Sequence, residues 1–326
     1  MKTIAEISSN FSSLEDCILS IKRAKEAKSW AVKFQLFSPQ DLYGHWCKDA
    51  YTPGVSPFLD PKWLPALADE AKQVDIETGS IEFMCTAFSS SQYEYVNDFV
   101  NIHKIASAEM TDTNILKTVN SFKKPVMIST GGSNIDEIHY ALSYLKDCPV
   151  TIMFCVAEYP ANIIDFRKLQ ALQKYFDVGH DFGFSDHSKD IFAIPQLAKQ
   201  LGCYVIEKHC NLADVKESPD LSHSISFKEL EFMNRALQNN LSTSQIESHI
   251  NTDMRLSWRR RFVATTDIQV GDKITVGRNV DIFRCKTKSI DPVITFRPQD
   301  INGKTCLISK RQGDPICYGD YEIDID

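Results

Sequence analysis

Eight strand-like runs separated by helical patterns over about the first 240 residues predict a (β/α)8 barrel, the TIM-barrel architecture. A change of rhythm after residue 257 predicts a small β-rich module behind it. Two histidines, each closing a strand-like run, predict where the chemistry sits. The runs are 3–7, 31–35, 81–86, 102–105, 126–129, 150–155, 181–185 and 204–209. Helical patterns fill most of the gaps. Residues 14–27 carry Leu14, Cys17, Ile18, Ile21 and Ala24 on one face, and 63–76, 90–99, 135–145, 166–175 and 191–201 read similarly. A doubly wound open sheet competes with the barrel, but no glycine-rich phosphate loop follows the first strand.

These readings divide the chain into a barrel at 1–240, a linker at 241–257 rich in Ser, Asn and Thr, and a module at 258–326. The module contains a weak internal repeat, in which Gly271-Asp272 to Gly277 parallels Gly313-Asp314 to Gly319.

Composition narrows the partners. The chain has 326 residues, 43% hydrophobic and 24% charged, as in ordinary globular proteins. A net charge of −7 with no basic run argues against nucleic acid. No stretch of about 18 apolar residues is present, so no membrane span is expected. The chain enters a strand directly after Met1-Lys2, without the apolar core of a signal peptide. Its ten cysteines form no Cys-x-x-Cys pair and mostly sit in apolar runs. Reduced thiols and a cytoplasmic location are therefore expected.

The segments Phe184-Ser185-Asp186-His187 and Ile206-Glu207-Lys208-His209 flank one amphipathic helix. A strand–helix–strand unit makes its strands parallel, which puts His187 and His209 at the same sheet edge. Two imidazoles there can share a divalent metal and leave positions open for substrate. Each histidine could instead simply hydrogen-bond a loop. Cys210 could be a soft ligand, although a buried core thiol is the plainer reading.

Catalytic groups of such barrels stand at the C-terminal strand ends. Those ends carry Glu6, Lys33 and Gln35, Thr86 and Ser89, then Lys104, Ser107 and Glu109. They continue with Ser129-Thr130-Gly131-Gly132, Glu158 and Tyr159, and the two histidine segments. Two lysines, several hydroxyls and a Gly-Gly turn suit an anionic, phosphate-bearing substrate. Glu6 and Glu109 could act as acid, base or sugar-hydroxyl ligands. The lysines could equally pair with Glu6 and Glu109 across the barrel.

In order along the chain, several segments resemble the sialic acid synthase family, the nonulosonic acid synthases. They are Ala5-Glu6-Ile7 with Asn10, Lys33-Phe34-Gln35, Thr86-Ala87-Phe88-Ser89 and Lys104 to Glu109. Lys124-Pro125 to Gly131, Tyr159-Pro160, Ser185 to Ser188, Ile206 to His209 and Pro219-Asp220 with Ser224 follow. The C-terminal module resembles the family's SAF, or antifreeze-like, domain through Val263-Ala264 to Gly271 and Asn279 to Arg284.

The resemblance implies condensation of phosphoenolpyruvate with an open-chain N-acetylated amino sugar, N-acetylmannosamine or a 6-deoxy-diacetamido hexose. A nine-carbon α-keto acid forms and phosphate leaves. It implies His187 and His209 as ligands of a divalent metal, manganese, with magnesium or cobalt as alternatives. Lys33, Thr86, Lys104, Ser107, Ser129 and Ser185 would contact phosphoenolpyruvate, with Lys104 also catalytic. Glu6 would orient or deprotonate the attacking water. Gln35, Glu109, Tyr159, Asp186 and Asp220 would face the sugar, and Arg284 would reach it across a domain-swapped homodimer. The sequence departs from the family pattern at Phe11, where a histidine is usual, at Val156 and Ala157, and at Cys285. Those departures point to a different acceptor sugar. A non-catalytic sugar-binding paralogue and another metal-dependent barrel aldolase or isomerase are the alternatives, and ice binding by the module alone has little support.

Overall fold

A computed structural model describes residues 1–38, 58–176, 179–238, 260–284, 298–317 and 319–322. The chain divides into two compact units, Met1–Asn239 and Asn240–Asp326. In the first, eight parallel strands close into a barrel. They are β1 (Lys2–Ser8), β2 (Ala31–Leu36), β3 (Glu82–Ala87), β4 (His103–Ile105), β5 (Val126–Ser129), β6 (Val150–Cys155), β7 (Asp181–Asp186) and β8 (Val205–Asn211). Each pairs with the next, and β8 returns to β1 with Glu6 opposite His209. A short β9 (Ile225–Ser226) extends the sheet beyond β8.

Helices occupy the crossovers: α1 (Leu14–Glu26), α2 (Leu64–Lys72), α3 (Ser90–Val96), α4 (Thr113–Ser121), α5 (Ile135–Tyr144), α6 (Phe166–Tyr175), α7 (Ala193–Gln200) and α8 (Phe227–Gln238). Local chemistry fixes their starts. Ser13 accepts from the Asp16 N–H at α1. Asn134 and Glu137 form a reciprocal capping box at α5. The helix α4 has no counterpart among the sequence-level helical patterns. Its Thr, Asn, Ile and Val residues are weak helix formers, so Asp112 capping and burial of Ile115, Leu116 and Val119 hold it instead.

The two faces of the strands separate core from site. Outward residues such as Phe34, Ile105, Phe154, Phe184 and Ile206 pack against the helices. Inward residues form an apolar plug of Ile4, Ala31, Met84, Met127, Met153 and Val205. Gly183 is the small partner in this layer. A methyl at its Cβ position would lie 2.6 Å from Val205 Cγ1 and 3.1 Å from the Val205 carbonyl oxygen, and closer still to Met153 Sδ. Gly183→Ala is therefore expected to destabilise the barrel by about 1–3 kcal/mol through overpacking. Urea denaturation checks this, and an unchanged midpoint would show that the plug yields freely.

In the second unit, β10 (Arg260–Ala264) pairs antiparallel with β11 (Val280–Arg284). A small core of Phe262, Ile268, Ile274, Val280, Ile301, Ile316 and Tyr321 lies behind them. The four glycines that bound the internal repeat, Gly271, Gly277, Gly313 and Gly319, all take positive φ of 82–94°. That conformation is costly for any residue with a Cβ, so the repeat is a repeat of turns.

Candidate functional site

Period-two alternation carries each strand from the apolar plug to a polar layer two residues later. Ile4 gives way to Glu6, Ala31 to Lys33, Met84 to Thr86, and Met127 to Ser129. Met153 gives way to Cys155, Gly183 to Ser185, and Val205 to Glu207. Lys104 in β4 follows in the same way from Ile102, the residue before that strand. One more step on β7 and β8 places His187 and His209 above that layer. Apart from the partly buried Ile102, all of these side chains are buried.

The polar layer is a charge network. Lys33 Nζ stands 2.6 Å from Glu6 Oε2 and 3.7 Å from Glu207 Oε2, and Lys104 Nζ stands 3.6 Å from Glu207 Oε1. Glu207, noted in the sequence only as a strand-end residue, is thus the hub that joins both lysines. Lys104 pairs with it and not with Glu109. Lys33 also donates to Thr86 Oγ1 at 3.1 Å, Gln35 Nε2 to Glu6 Oε1 at 2.9 Å, and Ser185 Oγ to Glu207 Oε1 at 3.1 Å. Ser107 Oγ accepts the Gly131 N–H at 3.0 Å, which draws the Gly-Gly turn onto the β4 loop. Ser129 Oγ is buried and makes no hydrogen bond. Cys155 belongs here too, with its Sγ 3.9 Å from His187 Nδ1. Its apolar flanks give no sign of that in the sequence.

Electrostatics separate the two carboxylates. Burial alone would raise Glu207, but Lys104 and Lys33 outweigh it and hold the carboxyl down to about 2. Glu6 has Lys33 beside it and is still pushed up to about 7, because burial and the Glu207 charge outweigh that attraction. Burial lowers Lys104, whereas Glu207 and Glu6 overcome burial at Lys33 and raise it. Near neutrality the layer therefore holds one fixed carboxylate and one that exchanges its proton. Burial likewise raises Glu109, in the turn after β4, to about 6.

Above the layer, the His187 and His209 rings lie 5.5 Å apart at 67°. His187 Nδ1 is 2.8 Å from the Val156 carbonyl oxygen. A carbonyl only accepts, so Nδ1 carries the proton and Nε2 keeps its lone pair for a ligand. Burial pushes the His187 imidazolium down to about 4 and holds His209 well below its ordinary value. Both rings are neutral at pH 7, as metal ligation requires. His209 Nδ1 is buried without a hydrogen bond. The donor set fits a divalent cation.

The loop after β8 closes over the mouth. Asp220 Oδ2 accepts from Ser9 Oγ at 2.5 Å and from the Ser9 N–H at 3.2 Å. Asn10 donates to Ser224 Oγ at 2.8 Å and to the Cys210 carbonyl at 3.0 Å, which fastens the end of β1 to this loop. Tyr159 stacks 4.2 Å from His187 and remains half exposed. His223, in the same loop, lies 4.4 Å from His209 and 4.9 Å from Tyr159. Nothing singled it out in the sequence beyond an Asp-x-x-His spacing from Asp220.

Several expected contributors stand elsewhere. Asp186 alternates with Ser185 and His187 and faces the opposite side of β7. There it is fully buried, 2.6 Å from Lys208 Nζ, and accepts the Ser188 N–H. It braces the shell behind the sheet, on the face away from Ser185 and His187. Cys210 alternates with His209 in the same way and joins the outer core. Arg284 ends β11, and its side chain lies outside the described residues, as does the whole of Cys285. The departure at Phe11 turns a polar position into core: the ring is buried edge-on to Trp63 at 6.3 Å. Val156 contributes its carbonyl to His187, so its apolar side chain costs the site no ligand support.

Comparison with known proteins finds relatives over nearly the whole chain. The pseudaminic acid synthase of Campylobacter jejuni subsp. jejuni serotype O:2 is 28% identical over 349 residues, covering 98% of this chain and 96% of that protein. Among solved structures, the N-acetylneuraminic acid (sialic acid) synthetase of Leptospira borgpetersenii, in complex with citrate, is 26% identical. It superposes with a TM-score of 0.66 over 78% of this chain and 91% of that one. The spore coat polysaccharide biosynthesis protein spsE of Bacillus subtilis shares the fold at 24% identity, with a TM-score of 0.64 over 99% of this chain and 96% of its own. The NeuB family model matches residues 20–248, and with the barrel and its polar mouth already in place, the chain belongs to the NeuB family.

Proposed function

We propose that this protein condenses phosphoenolpyruvate with an N-acetylated amino sugar, yielding a nine-carbon α-keto sugar acid and phosphate. The observation that carries the reading is one continuous site: the Lys33–Glu207–Lys104 network with Glu6 beneath His187 and His209. Membership of the NeuB family and the similarity to a pseudaminic acid synthase support the same class of reaction.

Lys33 and Lys104, with Ser107, Ser129 and Ser185 around them, would hold the phosphate and carboxylate of phosphoenolpyruvate. Ser129 Oγ, buried without a partner, has a free donor for such an oxygen. His187 and His209 would hold a divalent cation, manganese being our choice, which polarises the open-chain aldehyde when bound. Glu109, Tyr159 and Asp220 would orient the sugar. Carbon 3 of the enol ester bonds to the aldehyde carbon as the aldehyde π bond opens, and the new alkoxide takes up the proton that Glu6 draws from water. Glu6, aligned by Gln35 and Lys33, takes a proton from water as its oxygen adds at C2. The C2 hydroxyl then gives its proton to the leaving phosphate as the C2–O bond to phosphate breaks, which forms the keto group, and the lysines stabilise the departing charge.

The test is phosphate release from phosphoenolpyruvate with manganese across N-acetylmannosamine, 6-deoxy-diacetamido hexoses and unacetylated mannose. Release with one acetamido sugar, and a product with the mass of the nine-carbon acid, is the expected result. No release from folded, metal-loaded protein with any of them would overturn the reading. The pH profile follows from Glu6. Its carboxyl is protonated below about 7, so kcat/KM should climb as pH rises through that value. Glu6→Gln should cost roughly 100-fold or more and remove that limb.

A further inference from the structure

A third imidazole faces the same space as His187 and His209. His223 is 1% exposed, and its Nε2 is buried without a hydrogen bond. Its ring lies 4.4 Å from His209 and 6.0 Å from His187. The other ring nitrogen, Nδ1, has the Ser222 hydroxyl at 3.4 Å. Asp220 Oδ1 stands 3.5 Å from His223 Nε2, while Oδ2 is held by Ser9. One ligand atom from each of His209, Asp220 and His223 falls within 4.8 Å of the others. That spacing is close to what ligands about 2.0–2.2 Å from one ion require, so only small side-chain adjustments are needed.

Two readings compete. His223 could be a packing residue in an aromatic cluster with Tyr159, His187 and His209. A packing ring, however, is placed at no cost only if its buried nitrogens are satisfied. Here His209 Nδ1 and His223 Nε2 are both buried without hydrogen bonds and sit beside a carboxylate whose far oxygen is already anchored. A cation satisfies lone pairs and carboxylate together. From this juxtaposition we propose that His223, with Asp220, joins His209 and His187 as a ligand of the bound divalent metal. The site then takes imidazole-preferring first-row ions in preference to magnesium.

The chemistry follows from the donor set. Two imidazoles with open positions tolerate an oxygen-preferring ion that keeps its waters. Three imidazoles and one carboxylate favour first-row transition ions over magnesium, and cobalt(II) is the probe because its visible band reports the donor set.

The proposal rests on the metal site of the proposed function, and the experiment separates the two. Full-length protein is stripped with chelator and titrated with cobalt(II), followed by visible absorption and calorimetry, and separately with magnesium. His223→Phe is compared with wild type, because phenylalanine keeps the aromatic packing and removes both nitrogens. His223→Asn serves as the second variant should the larger apolar ring disturb the loop, and His187→Ala is the reference. The expected result is that His223→Phe weakens cobalt(II) at least about tenfold and alters its visible band, while magnesium affinity changes little. Wild-type cobalt(II) affinity and spectrum in both His223 variants, with loss in His187→Ala, would overturn the role of His223 and leave the two-histidine site standing. Unchanged cobalt(II) binding in all three would overturn both.

Discussion

His209→Ala is expected to reduce phosphoenolpyruvate-dependent phosphate release by about 1,000-fold or more while leaving the barrel folded. The size follows from what the residue does. An activated aldehyde is the electrophile of the proposed reaction, and Lewis-acid polarisation contributes several kcal/mol to such a step, with each ~1.4 kcal/mol worth a factor of ten. His209 is also the residue around which the other rings gather, with His187 at 5.5 Å and His223 at 4.4 Å. Its stability cost should be small, because Nδ1 makes no hydrogen bond that the substitution would break. The ring's volume is lost at the open end of the barrel and not in the plug. Metal content by atomic absorption, turnover by phosphate release and folding by circular dichroism are measured on the same preparation. Turnover within tenfold of wild type at saturating manganese would remove His209 from the metal site.

The barrel was legible because its strands change character within a few residues. Met84-Cys85-Thr86 and Met127-Ile128-Ser129 each run from apolar plug to polar mouth, and that switch survives any uncertainty in helix boundaries. The same switch named most of the site, since a polar side chain inside a barrel needs a partner or a substrate. Alternation also explains where Asp186 stands. It is adjacent to His187 in sequence, but adjacent residues on a strand face opposite sides, so nearness to a ligand argued for the wrong face. Glu207, two residues before His209, shares the ligand's face for the converse reason. His223 escaped notice because no strand or helix period applies to its loop. Hydrogen bonds from Asn10 and Ser9, with Lys189 Nζ donating to the Ser224 carbonyl, hold that loop over the mouth, and the range of more than 200 residues from Asn10 and Ser9 leaves no local pattern. The apolar flanks of Cys155 suit a core thiol. Burial does raise its thiol, yet its inward face puts it between Ser107, Ser185 and His187.

Glu207→Gln is expected to be the most destabilising single change in the polar layer. The carboxylate stands 3.6 Å from Lys104 and 3.7 Å from Lys33, all three side chains no more than 4% exposed. Removing one partner of a buried pair costs about 3–5 kcal/mol, chiefly because the remaining charge stays desolvated. Here two ammonium groups lose their common partner. Lys33 keeps Glu6 at 2.6 Å, whereas Lys104 keeps no ion-pair partner among the described residues. Lys104 is already lowered by burial, so without Glu207 it gives up its proton more readily, which limits the stability loss and removes a phosphate-binding charge. For a barrel unit of this length the expected fall in Tm is about 10 °C. The pH dependence has a definite sign. Glu207 titrates near 2 when folded and near 4.5 when unfolded, so its contribution is complete above the unfolded value and is lost as pH falls from there toward 2. The part of the wild-type advantage that comes from the Glu207 charge should therefore shrink below about 4.5, while between about 4.5 and 7 the Glu6 proton, which Glu207 helps to hold, adds a difference of its own. Phosphoenolpyruvate adds a discriminating measurement. If Lys33 and Lys104 hold it, the ligand returns counter-charge to the stranded lysines, and it should raise the Tm of folded Glu207→Gln measurably at concentrations well above its Kd. A variant as stable as wild type, or one that phosphoenolpyruvate fails to stabilise while it stabilises wild type, would show that the lysines do not depend on Glu207 in the way their spacing implies.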